Sequence, residues 1–264
     1  DRLGTEKIGK LLLGLAVPSI IAQVVNILYN MVDRIVIGRI ENGTVAMSAL
    51  SIALPIITFI MAVTMLLGMG GAPLAAIKLG QGNKAGAEKI LTNSFIMLIF
   101  SSVILTTLVL IFNEPLLRMF GADESNLQMA IEYITIYSLG TIFVQISLGM
   151  NPYINTQGYA KFGMLTVLIG AVLNIILDPI LIFGFGMGVR GAALATIISQ
   201  GVSALWVLKF LFGKKSTIKI RKKFAKPDIR VIGAICTLGV SPFIMNATES
   251  FLQIAFNNQL ARYG

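Results

Sequence analysis

The sequence predicts an all-α integral membrane protein: a six-helix transmembrane bundle plus the first helix of a second, repeat-related bundle. Three observations carry this. Hydrophobic residues make up 56% of the 264 and charged residues only 12%, against about 25% charged in soluble domains. Mean hydropathy is +0.84, and the apolar residues fall in blocks of about 20, the length a helix needs to cross a bilayer. Basic residues gather in alternate connections between the blocks, as loops held on one side of a membrane do. The blocks are helices because hydrocarbon offers backbone groups no partner outside helices and closed barrels. A barrel would need short alternating strands, and these runs are too long and too uniformly apolar.

Spans are predicted at 11–38, 46–72, 91–112, 127–150, 163–184, 189–212 and 231–258. The first follows Arg2, Lys7 and Lys10 and so imitates a signal peptide. It runs far beyond a signal's apolar region with no small-residue cleavage pattern, so it is kept as a span. The second ends on the glycine cluster Gly68, Gly70 and Gly71, read as a helix end. In the fourth, Glu132 sits near one end, and Tyr133 and Tyr137 have the spacing of aromatic-belt anchors. The fifth stops at Gly184, Gly186 and Gly188. The sixth carries a face of small and polar residues, Ala192, Thr196, Ser199, Gln200 and Ser203, suited to close helix packing.

Between the sixth and seventh spans lies the most basic stretch, FGKKSTIKIRKKFAKPDIR. This divides the chain into a first bundle (1–212), a basic cytoplasmic linker (213–230) and the truncated start of a second bundle (231–264). The remaining positive charge follows the same alternation. Lys78, Lys84 and Lys89 follow span two, and Lys161 follows span four, whereas the opposite loops mix Arg39, Arg118 and Arg190 with acids. The positive-inside rule therefore puts the N-terminus and the even loops in the cytoplasm of a multi-pass cell-membrane protein. It accounts for the net charge of +9 without nucleic acid. Topology and solvation explain the linker's lysines, with contact to membrane lipid headgroups as an added use. The absence of histidine argues against a zinc site, a His-ligated haem and a His base. The single cysteine, Cys236, allows no internal disulfide.

A weak repeat supports the division. Residues 7–21 (KIGKLLLGLAVPSII) align with 231–245 (VIGAICTLGVSPFIM), placing Pro18 opposite Pro242 and Asp33 opposite Asn257. Parallel repeats of this kind are a transporter architecture. With six spans before the linker and one after it, the chain is expected to lack a C-terminal bundle.

The chemistry concentrates in a few intramembrane polar residues. A carboxylate at the centre of a spanning helix costs roughly 2.5–3.5 kcal/mol on insertion scales, so it marks a site for an ion, a proton or a cationic solute. Asp33 lies in the first span, on a stripe with Pro18, Ala22, Asn26 and Asn30 at spacings of three and four. Asn26 and Asn30 can equally bond neighbouring helices, and Asp33, followed by Arg34, can equally sit at headgroup level. Pro18 should kink that helix and let it take two shapes. Asn174 and Asp178, at i and i+4 in the fifth span, share a face and offer a carbonyl and a carboxylate oxygen, fit for a hard monovalent cation or a proton. Pro179 weakens the helix beside them. Thr196 could add a hydroxyl oxygen. Glu249, in the seventh span, is a third intramembrane carboxylate.

Pro18 with NMVDRIVIG, KLGQGN (78–83), NPYINTQG (151–158), NIILDPI (174–180) and GVRGAALATIISQ (188–200) together resemble the multidrug and toxic compound extrusion (MATE) transporters, over essentially the whole chain. The resemblance implies two six-helix bundles around a central cavity and exchange of outgoing organic cations for incoming Na⁺ or H⁺. It implies a first-bundle cation site at Asp33, Asn174, Asp178 and Thr196, where Na⁺ would bind. It adds Tyr133 and Asn151 to the surrounding network, matches Pro18 to the bend of the first helix, and makes Glu249 a possible second site. No cofactor is expected beyond the coupling ion. The function expected is a cation-coupled secondary antiporter exporting organic cations. One alternative is a flippase for lipid-linked saccharides, which would need arginines or lysines lining its cavity. Another is an intramembrane aspartyl enzyme, for which no Gly-rich aspartate motif is present.

Overall fold

The structure, a computed structural model, describes residues 8–263; Arg2 and Lys7 lie outside them. Eight helices follow in order: α1 (Ile8–Ile37), α2 (Gly43–Gly80), α3 (Lys84–Met119), α4 (Leu127–Leu139), α5 (Thr141–Asn155), α6 (Ala160–Pro179), α7 (Val189–Phe212) and α8 (Ile229–Tyr263). A π-helical turn, Ile180–Gly184, extends α6, and a short 3₁₀ turn lies at Lys222–Phe224. Among the described residues six helices are long and apolar enough to cross a membrane; α4 and α5, bent by 56° at their junction, pass the same test only when taken together as one broken span.

Each predicted span is present; most run longer than predicted, whereas α7 keeps the predicted bounds and α1 stops at Ile37. α2 passes through Gly68, Gly70 and Gly71 as unbroken helix and stops only at Gly80. The glycines are therefore not a helix end. They are points of close approach: a methyl at Gly68 would strike the Gly149 backbone of α5, and one at Gly70 the Ile235 carbonyl of α8. α3 starts seven residues before the predicted limit, capped by the Asn83 side chain accepting from the Gly86 N–H at 2.8 Å. It bends at Phe112, where the predicted span ended, because Pro115 follows and the backbone there leaves helical angles (φ −112°, ψ 15°). α1 runs as one helix from Ile8 to Ile37 with Pro18 inside it. The fifth span's glycine ending is as expected: Gly186 (φ 64°) and Gly188 (φ 53°) take left-handed angles open to residues without a Cβ.

Two buried clusters stack along the bundle. One joins Ile37, Leu50, Ile56, Leu117, Tyr133, Ile134 and Val189 at one end; the other joins Leu67, Ala75, Leu91, Tyr153, Ile154 and Phe210 at the opposite end. α1 packs chiefly on α6, and α8 lies along α2. The α2–α8 contact is closed by Gly70 and Gly239 and by two polar bonds, Thr58 to Gln253 (3.2 Å) and the Asn257 amide to the Ser51 carbonyl (3.0 Å).

The linker is not a solvated tether. Ile218 is fully buried in the second cluster, and Ser216 is buried as well. Gln157 Oε1 accepts from the Thr217 N–H (2.7 Å), the Ile218 N–H (3.1 Å) and the Ser216 hydroxyl (3.0 Å). Buried Glu88 receives the Arg221 guanidinium at 3.3 Å, Thr92 accepts from the Arg221 N–H, and Asn93 accepts from the Asp228 N–H at 2.8 Å. Residues 214–228 thus form a strap across the ends of α3, α5 and α6. The connections at 81–83 and 156–159, flanked by Lys78, Lys84 and Lys161 on the adjoining helix ends, lie at this same end.

Candidate functional site

The opposite end of the bundle holds the intramembrane carboxylates. Asp33 sits one turn from the end of α1, and Asp178 sits eighteen residues into α6, about 27 Å from the helix start. α1 lies along α6, and the two carboxyl groups are close enough to interact with one another. Asp178 is fully buried and Asn174 is 2% exposed.

Around the pair the predicted neighbours converge. The Asn174 amide donates to Asp178 Oδ1 and to the Thr196 hydroxyl oxygen, both at 3.4 Å, and Thr196 donates back to the Ala192 carbonyl at 3.0 Å. The i, i+4 spacing does what helical geometry dictates. Three oxygens here have no hydrogen-bond partner among the described residues: Asp33 Oδ1, Asn174 Oδ1 and Asp178 Oδ2. Buried polar atoms in native proteins are paired in the great majority of cases, and here three unpaired acceptors, two of them carboxylate oxygens, lie together. Directly beyond Asp178, Pro179 ends the α-helix and the chain widens into the π-helical turn. Such turns are frequent at functional sites.

Tyr29 was missed by the sequence reading. It lies one turn before Asp33 and close enough to feel both carboxylates. The predicted stripe ran 26–30–33, but the bundle-facing order is 26–29–33: Asn30 is exposed and its amide turns back to the Asn26 carbonyl at 2.6 Å. Asn26 is half-buried, and Pro18 is buried. Tyr133, also near both carboxylates, is 5% exposed and stacks on Tyr137 with ring centroids 6.2 Å apart. These tyrosines are core residues of the site wall, not membrane-interface anchors.

Two predicted residues stand elsewhere. Asn151 bonds the Gly163 carbonyl at 3.2 Å, fifteen residues and about 22 Å along α6 from Asp178. Glu249 is exposed on α8. Glu132 is ion-paired to Arg190 at 2.8 Å and lines a cleft of ≈480 Å³ with Arg39, Glu41 and Ile182. Ile182 is four residues beyond Asp178, so the cleft lies on the carboxylate side of the bundle, though neither carboxylate lines it.

A multi-helix bundle with converging intramembrane acids has the form of a membrane transporter. The comparisons agree. A family model described as MatE matches residues 18–180, and the chain belongs to the MATE transporter family. It is 28% identical over 255 residues to the multidrug export protein MepA of Staphylococcus aureus strain MSSA476, covering 97% of this chain and 56% of that protein. A crystal structure of MATE in complex with MaD3S superposes with a TM-score of 0.86 at 28% identity, over 93% of this chain and 55% of that one. The outward-facing conformation of a multidrug resistance MATE family transporter gives 0.83 at 28% identity, over 90% and 52%. The chain spans about half the length of these relatives and corresponds to their N-terminal half. It is a multi-pass membrane protein of a family of transporters, not enzymes.

Proposed function

We propose that this chain is the coupling half of a secondary antiporter that exports cationic, amphipathic compounds in exchange for Na⁺ or H⁺. The observation that carries the reading is the Asp33–Asp178 pair with its unpaired oxygens. Two carboxylates this close cannot both stay charged without a positive partner. A Na⁺ would take oxygens from Asp33, Asn174, Asp178 and Thr196; a proton would bridge the two carboxyls. No other cofactor is called for. The likeness to proteins named for multidrug export supports efflux as the direction. Acids and amides at the site, rather than arginines or lysines, favour cations over the phosphates a saccharide flippase would carry.

In this reading the strap end, with most of the lysines, faces the cytoplasm, and the cleft on the carboxylate side opens to the outside. Antiport requires cation and drug to favour opposite states, since a ligand shifts an equilibrium only by its differential affinity. Pro18 gives α1 a missing backbone bond about which it can bend, and the charge on Asp33 biases that bend. Glu249 is the candidate for a separate second-bundle site. The full-length transporter, purified into vesicles, is the test. An imposed Na⁺ or pH gradient should drive uphill movement of a lipophilic dye cation; movement indifferent to both gradients would overturn the proposal.

A further inference from the structure

The strap carries more positive charge than its own contacts use. Six lysines lie along it: Lys214, Lys215, Lys219, Lys222, Lys223 and Lys226. Among the described residues, the ion pairs at this end are Lys89 with Asp228 and Arg221 with Glu88, and neither takes one of the six. All but Lys219 are exposed. The backbone that holds them is fixed, since Ile218 is fully buried and Gln157, Glu88, Thr92 and Asn93 accept its N–H and guanidinium groups. At either end of the strap, membrane-spanning helices present large apolar side chains outward, Phe212 at 56% exposure and Ile229 at 79%. Lys223 lies over the Phe224 ring at 4.6 Å. Fixed lysines bracketed by outward apolar residues at the ends of spanning helices sit where the hydrocarbon gives way to headgroups.

We infer that the strap is a docking surface for the anionic phospholipid headgroups of the membrane in which the protein is embedded. A flexible basic linker would gain only diffuse attraction to such a surface. A docked one holds its lysines in a set arrangement at the headgroup level, losing little further freedom on binding. The lipid bound should carry a net negative headgroup, with a phosphate ester as the acceptor. The inference stands apart from cation coupling, because none of the residues involved is near Asp178.

The test uses the full-length transporter in a neutral detergent, with its thermal midpoint followed as phosphatidylglycerol, phosphatidylcholine or inorganic phosphate is added. Phosphatidylglycerol should raise the midpoint and the other two should not. The rise should vanish in roughly 1 M NaCl, where the screening length is about 3 Å. Each cation near an anionic surface contributes about a fivefold factor, so the triple variant K222Q/K223Q/K226Q should need roughly 100-fold more phosphatidylglycerol for the same rise. Its midpoint without lipid should stay close to wild type, because these three side chains make none of the strap's docking bonds and only the exposed Lys223 contact with the Phe224 ring is lost. An equal response to phosphatidylcholine, a full rise with inorganic phosphate, or an unchanged response in the triple variant would each overturn the inference.

Discussion

Both ends of the bundle bury polar side chains, and they do so in opposite ways. Where the strap docks, the acceptors that hold it are used: Gln157 Oε1 takes three donors, its amide bonds the Tyr153 carbonyl at 2.8 Å, and Asn93 is bonded through both amide atoms. At the carboxylate end three oxygens are left over. Full satisfaction makes a polar cluster a staple, whereas leftover acceptors of one sign make it a receptor. Burial alone does not separate the two, since Glu88 at 4% and Asn174 at 2% are equally hidden. What separates them is whether the fold itself supplies the donors.

The comparison predicts that substitutions at the two ends fail differently. The largest effect is expected at Asp178. Asp178→Asn in the full-length transporter should leave expression intact and cut gradient-driven efflux roughly 10- to 100-fold, the weight of lost charged contacts; a vesicle dye-efflux assay reads this. Gln157→Leu should do the reverse. It strands the strap's donors and should lower stability by about 1–3 kcal/mol, seen as a drop in thermal midpoint with efflux per folded molecule retained. A third substitution sharpens the fold itself. Gly70→Ala puts a methyl against the Ile235 carbonyl and should cost about 1–3 kcal/mol by prising α8 from α2, measured as the same midpoint. Tyr29→Phe is milder and should change cation affinity a few-fold while leaving stability near wild type; an unchanged affinity would return Tyr29 to packing alone.

The smallest effect is a pH dependence confined to the strap. Lys89, hydrogen-bonded to Asp228, holds that carboxyl below its usual range, helped by the Arg230 N–H. A lowered value in the folded state means that the contribution is present above about pH 4 and is lost as pH falls through the folded value. Protease cleavage within 219–228 should therefore quicken in acid below about pH 4, and Asp228→Asn should flatten that response. A cysteine label meant to report the side of the membrane belongs at exposed Lys222, in a Cys236→Ala background.

The spans were legible because twenty-residue apolar blocks have few other uses. Their ends were not. α2 continues over Ala72–Gly80 and α3 begins at Lys84, through turns whose glycines and lysines look like loop. Asn174 with Asp178 was legible from i, i+4 spacing, which is local. Their meeting with Asp33 is a contact between α1 and α6, and spacing within one helix carries no record of it; only the resemblance to MATE transporters brought it in. The same limit misassigned the stripe on α1, because 26–30–33 and 26–29–33 are both helical faces and only packing chooses Tyr29. The strap was illegible for another reason. Lysine-rich composition indicates solvent, and the residues that fix it, Glu88 and Gln157, are single polar side chains far off in sequence.

The central claim is that the unpaired oxygens between α1 and α6 hold the coupling cation. It is tested most directly by binding rather than transport. Tracer Na⁺ binding and proton uptake would be measured on the purified full-length transporter for wild type, Asp33→Asn, Asp178→Asn and Gln157→Leu. The account predicts a saturable cation that is lost in both aspartate variants and kept in Gln157→Leu. Undiminished binding in Asp178→Asn, or loss confined to the strap variant, would contradict it.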